Sequence, residues 1–468
     1  MPFPGSTYGC CKHRKMWTLW RLRRGLSDQF DRAHRILPQN RRHVHIVCDV
    51  RNGLPGRSLN GRGRTMRDEY DVVVVGAGPG GSIAARTAAE ECDVLLLEKR
   101  QEIGSPVRCA EGVYKRDLLK FKQPDKKWIA SEINGVRIYE PDGTMIELSG
   151  ETIGIEGALF YVVERKIFDR ELAKDAAQAG AHVMVRTRAT GLIIEDGHVK
   201  GVKLNRLGED FEVCSKVVIG ADGVESQVGR WAGISTTLKL TEIVSCVQYL
   251  MTNVDKAEDT IDVYLGSVAP GGYAWAFSKG NMTANIGLGM GASSLKLKRP
   301  IDYLNEFVSK NFPGGQPLGL VMGGVPSSGE LKTIVSSGLM LVGDAAHHCD
   351  PLIGAGIINA MAGGRIAGEV ASKAVSQNDG SIKALKEYET RWRNSYGKIH
   401  KHAYKIREFL GTLTDEEYVK FGRAFQGIKL EEMSITGITM RLLKASPKLL
   451  LFMLRRLPYF REMGLFEG

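Results

Sequence analysis

The stretch YDVVVVGAGPGGSIAARTAAEECDVLLLEKR, residues 70–100, constrains the fold more than any other part of this chain. Val72–Val75 form a continuous β-branched run, which is typical of a strand buried on both faces. A glycine-rich turn follows, then an alanine-rich segment that predicts a helix over 82–90, and then an apolar run over 93–98 that predicts a second strand. This order of elements predicts a Rossmann-like βαβ unit that binds a dinucleotide.

The glycines of this turn have the spacing G-x-G-x-x-G. Gly76 permits the tight turn, Gly78 lets the backbone approach a pyrophosphate, and Gly81 lets the helix pack closely on the strand. Gly80 lies within the same loop, and the helix start offers unpaired N–H groups to the phosphates. Glu98 ends the second strand, where we expect it to accept hydrogen bonds from the adenosine ribose. The loop by itself does not distinguish NAD from FAD.

Two later motifs favour FAD, which is a long cofactor that needs more than one strand-to-helix junction. Asp222 lies in an Ala-Asp-Gly sequence after the apolar strand KVVIG. Asp344 ends another strand, and a helix is predicted to begin near Gly356 and Ile357. We expect Asp344 to bind the ribityl hydroxyls and the helix start to contact the pyrimidine side of the flavin ring.

The formal net charge of +11 lies entirely in the first 65 residues, which contain 14 Lys or Arg and three Asp. The chain from Met66 onward is therefore balanced and predicts no nucleic-acid partner. A targeting peptide and a basic nucleic-acid arm are alternative interpretations of residues 1–65. We expect instead that this head is not a functional segment and that the native chain starts at Met66.

The eight cysteines include no C-x-x-C pair, so zinc-ribbon and iron–sulfur spacings are absent from the sequence. We expect a reducing compartment, and no apolar run reaches the ~18 residues that span a bilayer. The sequence HHCDP at 347–351 has no distant set of residues with metal-ligand spacing, so no metal site is predicted.

The sequences GAGPGG, ADG and GDAAH together resemble the FAD-dependent oxidoreductases of the p-hydroxybenzoate-hydroxylase fold. Within that group, EIGSPVRCAEGV at 102–113 and GGYAWAFSKG at 271–280 are similar to the geranylgeranyl reductases, and most of all to the archaeal enzymes that act on digeranylgeranylglycerophospholipids. The likeness covers 66–468. Members of the family that the chain resembles usually have proline where this chain has Ser278.

The resemblance implies an α/β fold in which a Rossmann-like FAD-binding domain carries an inserted antiparallel-sheet substrate domain and a helical C-terminal region. We place FAD-binding segments at 66–236 and 337–375, the substrate domain at 237–336 and the helical region at 376–468. The FAD contacts that the resemblance implies are the glycine loop, Glu98, Cys109, Ala110, Gly112, Arg165, Ala189, Asp344, Gly356 and Ile357.

Residues 241–290 read as strands separated by glycine and proline, as in an antiparallel sheet. Tyr273, Trp275 and Phe277 alternate, so they share one face of a strand. We expect this aromatic face to line a channel for a polyprenyl chain, although packing of the core explains it equally simply. The segment 438–466 mixes apolar residues with Arg and Lys, which suggests either contact with an anionic membrane or a helix with a solvated basic edge.

The resemblance implies stepwise hydrogenation of isoprenoid double bonds by reduced FAD on a geranylgeranyl lipid. The proton source is open between Cys109, Tyr273, His347 and ordered water. The sequence contains no second dinucleotide loop, so we expect a separate electron donor such as ferredoxin, NAD(P)H or another reduced carrier. We expect the protein in the cytoplasm, with peripheral contact to the membrane. The alternatives are a flavin monooxygenase of the same fold, a quinone-linked flavoprotein and a lipid-binding flavoprotein.

Overall fold

The computed structural model describes residues 66–150, 157–291 and 298–425, together with Leu451 and Leu454. Within these residues the chain forms three sheets and a set of helices. The strands are β1 Glu69–Val75, β2 Val94–Leu97, β3 Gly112–Tyr114, β4 Ile129–Ile133, β5 Gly135–Tyr139, β6 Met145–Ser149, β7 Phe160–Val163, β8 His182–Met184, β9 Thr187–Glu195, β10 His198–Arg206, β11 Glu209–Gly220, β12 Ile243–Thr252, β13 Thr260–Tyr264, β14 Tyr273–Gly280, β15 Thr283–Gly291, β16 Gln316–Pro326, β17 Val335–Ser336 and β18 Leu339–Leu341. The helices are α1 Pro79–Ala88, α2 Lys115–Leu118, α3 Arg165–Gln178, α4 Gln227–Trp231, α5 Pro300–Asn311, α6 Ile357–Ser376, α7 Ile382–Trp392, α8 Lys398–Leu410 and α9 Asp415–Phe425.

The first sheet confirms the predicted Rossmann-like unit. Its order is β17-β18-β11-β1-β2-β8, and β1 pairs in parallel with both β2 and β11. Val72–Val75 are buried on both sides of the sheet, as their continuous β-branched run requires. Helices α1 and α6 cross one another so closely that a Cβ on Gly364 would lie 2.2 Å from the Gly80 carbonyl oxygen.

The second sheet has the order β16-β12-β15-β14-β13-β5-β6, and it confirms the four strands predicted between 241 and 290. It differs from the predicted substrate segment in taking β5 and β6 from residues 135–149, within the stretch assigned to FAD binding. The join is parallel, with Thr260 opposite Gly135 and Tyr264 opposite Tyr139. A parallel pair links distant parts of the chain, so no local sequence pattern marks it.

A third sheet, β3-β7-β4, connects the two larger sheets. Its strand β3 begins within residues 105–113, the stretch around Cys109 that we call the Cys109 segment. The Val163 amide donates to the Glu111 carbonyl over 2.9 Å. The Cys109 segment therefore runs between the sheet that carries the glycine loop and the sheet that carries the aromatic face.

The C-terminal part is helical as predicted, with α6 beginning at Ile357. Among the helices that the structure describes, none combines the length and apolar character needed to cross a bilayer. The head 1–65 and the basic segment 438–466, apart from Leu451 and Leu454, lie outside the described residues, so the expectations about them stay predictions.

Candidate active site

The glycine loop between β1 and α1 forms an open cradle. Gly76 has φ +108°, and a Cβ there would lie 2.3 Å from the Ala221 carbonyl oxygen, while a Cβ on Gly81 would lie 1.8 Å from the Gly76 carbonyl oxygen. Gly78 is different, because no described atom lies within 4 Å of its Cβ position. Gly78 also begins α1 without a side-chain cap. Close packing thus requires glycine at positions 76 and 81. Gly78 instead faces open space, in which a phosphate can reach the free N–H groups at the start of the helix.

Glu98 lies beside this cradle at the end of β2. Its carboxylate accepts hydrogen bonds from the Ala77 amide at 3.3 Å and the Arg100 amide at 2.9 Å. Its own carbonyl accepts from the Thr187 amide at 2.9 Å, which brings β9 and the buried Ala189 to the same edge of the sheet. Each carboxylate oxygen keeps capacity for a ribose hydroxyl.

Asp222 has one buried carboxylate oxygen without a hydrogen-bond partner among the described residues. Its Oδ2 accepts from the Val228 amide at 3.0 Å, whereas its buried Oδ1 has no hydrogen-bond partner among the described residues. Burial raises the pKa of this carboxyl against the backbone N–H groups that lower it. An unpaired buried oxygen is costly, so a bound donor group fits here.

Asp344 and the start of α6 form the second junction that the sequence predicted. A Cβ on Gly356 would lie 3.4 Å from Asp344 Oδ1, so the carboxylate and the helix start at Ile357 are adjacent. Burial raises the pKa of Asp344, and the Arg165 cation opposes that rise. The arrangement suits hydroxyl groups next to a flavin ring.

Arg165 is the first residue of α3, as predicted, but its guanidinium is held by a protein carboxylate. Nε and Nη2 contact the two oxygens of Asp169 at 2.8 and 2.7 Å. Burial lowers the pKa of Arg165, and Asp169 raises it by more through its charge and its hydrogen bonds. Arg165 therefore stays cationic and lowers the pKa of both Cys109 and Asp344 through its positive charge.

The carbonyl of Cys109 is fixed through two hydrogen bonds that lead to the aromatic face. Gln248 Nε2 donates to this carbonyl over 3.1 Å, and Trp275 Nε1 donates to Gln248 Oε1 over 3.0 Å. The Cys109 Sγ accepts from the Glu111 amide at 3.2 Å. Burial raises the pKa of the thiol, which Arg165 lowers only in part, so the proton remains on sulfur at neutral pH.

The aromatic residues of β14 share one face, as predicted. The Tyr273 and Trp275 rings meet edge to face with centroids 5.8 Å apart, and the Tyr273 hydroxyl donates to the Ile353 carbonyl over 2.5 Å. Phe277 packs over the Cys109 segment, because a Cβ on Gly112 would lie 2.7 Å from its ring. Gly112 is therefore required by the close approach of this ring.

His347 is held by two protein groups. Its Nδ1 lies 2.8 Å from Ser328 Oγ and its Nε2 lies 3.1 Å from the Thr236 carbonyl oxygen. Burial lowers the pKa of the imidazole, so it is neutral at pH 7. To transfer a proton, His347 would have to break one of these bonds.

Glu111 is the residue that sequence reasoning missed. It is 3 % exposed and has φ +75°, a left-handed conformation that costs a non-glycine residue about 1 kcal/mol or more. Its Oε1 accepts from the Arg165 amide at 2.8 Å, and its Oε2 accepts from Lys279 at 2.6 Å and Asn285 at 2.8 Å. Asn285 also donates to the Ala110 carbonyl at 3.2 Å. One carboxylate thus joins α3, β14 and β15 to the Cys109 segment.

A signal for this contact exists in the sequence. Lys279 has the same alternation as Tyr273, Trp275 and Phe277, so it belongs to the same strand face. A lysine on a buried face requires a carboxylate partner. Ser278 accepts a hydrogen bond from the Gly280 amide at 3.2 Å, so the strand ends in a formed turn.

Comparison with known proteins agrees with this geometry. The profile of the geranylgeranyl reductase catalytic domain matches residues 242–325, and that of the FAD dependent oxidoreductases matches residues 71–268. A digeranylgeranylglycerophospholipid reductase of Methanocella arvoryzae is 53 % identical over 387 residues, covering 82 % of this chain and 98 % of the relative. The chain belongs to the geranylgeranyl reductase family. A Methanosarcina mazei protein of the same name is 50 % identical, covering 82 % of this chain and 95 % of the relative.

A solved structure extends the family assignment to the fold. It is a geranylgeranyl bacteriochlorophyll reductase-like protein of Thermoplasma acidophilum, 40 % identical, with a TM-score of 0.78 over 83 % of this chain and 99 % of the other. The family assignment establishes an FAD-dependent oxidoreductase. The open cradle at Gly78, the unpaired Asp222 oxygen and the Asp344–Gly356 junction fit that cofactor in this chain.

Proposed function

We propose that this protein hydrogenates the double bonds of geranylgeranyl chains, in digeranylgeranylglycerophospholipids of archaeal membrane lipid biosynthesis. The observation that carries the proposal is the position of the Cys109 segment. It lies between the FAD cradle and the aromatic face of Tyr273, Trp275 and Phe277, with a hydrogen bond from each side. The names of the two relatives supply the substrate class.

Reduced FAD, when bound, supplies the hydride equivalent. A trisubstituted alkene is not electrophilic, so the chain must also provide a proton to the other carbon. Cys109 keeps its proton at neutral pH because burial raises the pKa of the thiol. Burial also raises the pKa of Tyr273, but its hydroxyl proton is already donated to Ile353. Cys109 is therefore the better placed of these donors.

The aromatic face has two effects on this step. Its rings exclude water from the alkene, and their negative π faces stabilise the positive charge that develops at the tertiary carbon. Trp275 is 7 % exposed and anchored through Gln248, so its ring orientation is fixed before substrate arrives.

The direct test is an anaerobic assay with FAD-loaded protein, a chemical reductant and a digeranylgeranylglycerophospholipid. Mass spectrometry should show products that gain two mass units for each bond reduced. Flavin that stays reduced while the lipid stays unchanged would disprove the reductase function. Oxygen-dependent hydroxylation of an aromatic compound would instead support a monooxygenase.

Replacement of Cys109 tests the proton donor. Cys109→Ala should retain FAD and lose turnover by about a hundredfold, the usual contribution of a positioned acid. The turnover of Cys109→Ser should fall between that of the parent and that of Cys109→Ala, because a hydroxyl can still donate a proton. The matched control is Cys92→Ser, whose thiol lies 3.7 Å from Ser372 Oγ on α6. Unchanged turnover in both Cys109 variants would assign Cys109 to packing alone.

The reductant arrives from a separate carrier, and the lipid arrives from a membrane surface that the protein contacts peripherally. The edge strand β16 supports the membrane contact, since its apolar side chains Leu318, Leu320 and Met322 are 62, 49 and 59 % exposed. Exposed apolar side chains in a row bury favourably in a lipid interface.

Sedimentation with vesicles of anionic archaeal-type lipid tests this contact. The triple variant Leu318→Ser/Leu320→Ser/Met322→Ser should weaken vesicle binding about a hundredfold or more, since the three apolar side chains each contribute about 1 kcal/mol or more on burial. Ile382→Ser, at a residue 51 % exposed at the start of α7, is the control and should bind as the parent does. Equal binding of the triple variant and the control would exclude β16 as the contact.

A further inference from the structure

A groove of about 610 Å³ lies at the edge of the first sheet, beyond Glu98. Its lining consists of the segment after β2, the start of β9 with the turn before it, and the end of β10 with the β10–β11 turn. The lining residues are Lys99, Arg100, Gln101, Glu102, Ser105, Pro106, Arg186, Arg188, Asn205, Leu207 and Gly208. The glycine loop, Glu98 and Ala189 are not among these residues. The groove is therefore separate from the FAD cradle in its lining, although the two adjoin.

The walls of this groove are held together by the backbone. The Arg186 amide donates to the Arg100 carbonyl over 2.8 Å, which fixes the two arginine-bearing segments side by side. Arg188 lies directly opposite Asn205 in the β9–β10 pair, so both side chains project on the same side of the sheet. Asn205 accepts from the Gly208 amide at 3.3 Å and orders the third wall.

Four cations line the groove, and most of their charge is not neutralised by the protein. Lys99 contacts Glu225 at 2.6 Å. The one lining acid, Glu102, is already paired with Arg170 at 2.9 Å and Lys166 at 3.5 Å. In the described part of the chain, no carboxylate oxygen lies within 4.0 Å of Arg100, Arg186 or Arg188. Three guanidinium groups around one concavity repel each other until an anion is bound.

The chemistry of the lining identifies the ligand class. Arginine forks match the oxygens of a phosphate group, and a volume of this size accepts a ligand of nucleotide dimensions rather than a single ion. The segment Ser105–Pro106 continues directly to Cys109, so a molecule held here lies on the chain segment that enters the active site.

We propose that this groove is a binding site for a phosphate-bearing small molecule used in the reaction. The inference rests on the proposed function, because the proposed reaction offers two molecules that could bring a phosphate group to this groove. One is the phosphate headgroup of the lipid substrate, and the other is the phosphate groups of a nicotinamide dinucleotide that donates electrons.

The test uses the full-length, FAD-loaded protein and inorganic pyrophosphate as the probe in titration calorimetry. The parent should bind pyrophosphate saturably, and Arg186→Gln/Arg188→Gln should bind it at least about tenfold more weakly, since an exposed charge-assisted contact contributes about 1 kcal/mol. The charge-matched control Lys383→Gln/Lys386→Gln, on exposed residues of α7, should bind it as the parent does.

Two activity arms distinguish the sources. If the headgroup binds in the groove, the variant should raise KM about tenfold for the phosphorylated lipid and leave KM for the unphosphorylated diether unchanged, with dithionite as reductant. If the donor binds there, flavin reduction by NADPH should slow about tenfold while reduction by dithionite stays constant.

Three results would overturn the site. The first is absent or unchanged pyrophosphate binding, and the second is loss of FAD from the variant, which would assign the groove to the cofactor. The third is slower reduction by an acidic protein carrier with pyrophosphate binding intact, which would make the groove a protein-docking surface. A parent that binds pyrophosphate but reduces no geranylgeranyl lipid would instead disprove the proposed function and leave the phosphate site in place.

Discussion

Gly81→Ala is expected to yield a protein that neither folds stably nor holds FAD. The new Cβ would lie 1.8 Å from the Gly76 carbonyl oxygen, and neither backbone can move without separating α1 from β1. Alanine is the better helix former by about 1 kcal/mol, so propensity alone predicts the opposite result. We expect the free energy of unfolding to fall by about 4 kcal/mol or more, measured by urea denaturation and flavin absorbance.

Gly78→Ala is the matched control within the same loop. Gly78 has φ −73° and ψ −178°, which alanine adopts freely, and no described atom lies within 4 Å of its Cβ position. The apoprotein should unfold within about 0.5 kcal/mol of the parent, while FAD affinity falls at least tenfold because the methyl group occupies the approach of the pyrophosphate. Normal FAD content in Gly81→Ala would contradict the packing described for this loop.

Lys279→Met is expected to destabilise the protein by about 3 kcal/mol and to lower turnover. The Lys279 ammonium contacts Glu111 at 2.6 Å and Glu164 at 2.8 Å, and the Lys279 and Glu111 side chains are 7 and 4 % exposed. Burial lowers the pKa of Lys279 and the two carboxylates raise it by more, so the ammonium stays charged at neutral pH. Removal of the cation leaves a buried carboxylate beside the Cys109 segment.

Two further variants make this experiment specific. Lys203→Met removes an exposed pair with Glu212 at 3.3 Å and should change stability by no more than about 0.5 kcal/mol. Lys279→Met/Glu111→Gln should recover part of the loss, since a neutral amide replaces the unpaired charge. If urea denaturation shows the same stability for Lys279→Met and Lys203→Met, Glu111 does not join β14 to the Cys109 segment in the way described.

Local sequence patterns correctly predicted those elements of the fold whose conformation depends on neighbouring residues in the chain. The β-branched run at Val72–Val75, the glycine spacing and the helix start at Ile357 are each set by neighbours in the chain, and the structure confirms them. The parallel pairing of β5 with β13 is set by residues far apart in sequence, so no local pattern predicted it.

The site shows the same division. Alternation placed Tyr273, Trp275 and Phe277 on one face, because strand geometry fixes side-chain direction. The bonds of Glu111 depend on how α3 and β14 meet after folding, and its φ of +75° is imposed by those contacts. The alternation of Lys279 indicates that a carboxylate partner is needed, but no sequence pattern identifies Glu111 as that partner.

The two halves of the FAD cradle have a consequence for biosynthesis. The glycine loop and Glu98 leave the ribosome early, whereas Asp344 and the start of α6 follow only after the whole aromatic sheet has been translated. Helix α1 also leaves its Gly80 surface uncovered until α6 arrives. Nascent chains should therefore acquire flavin late, and truncated chains that end before Ile357 should reach chaperones or proteases without colour.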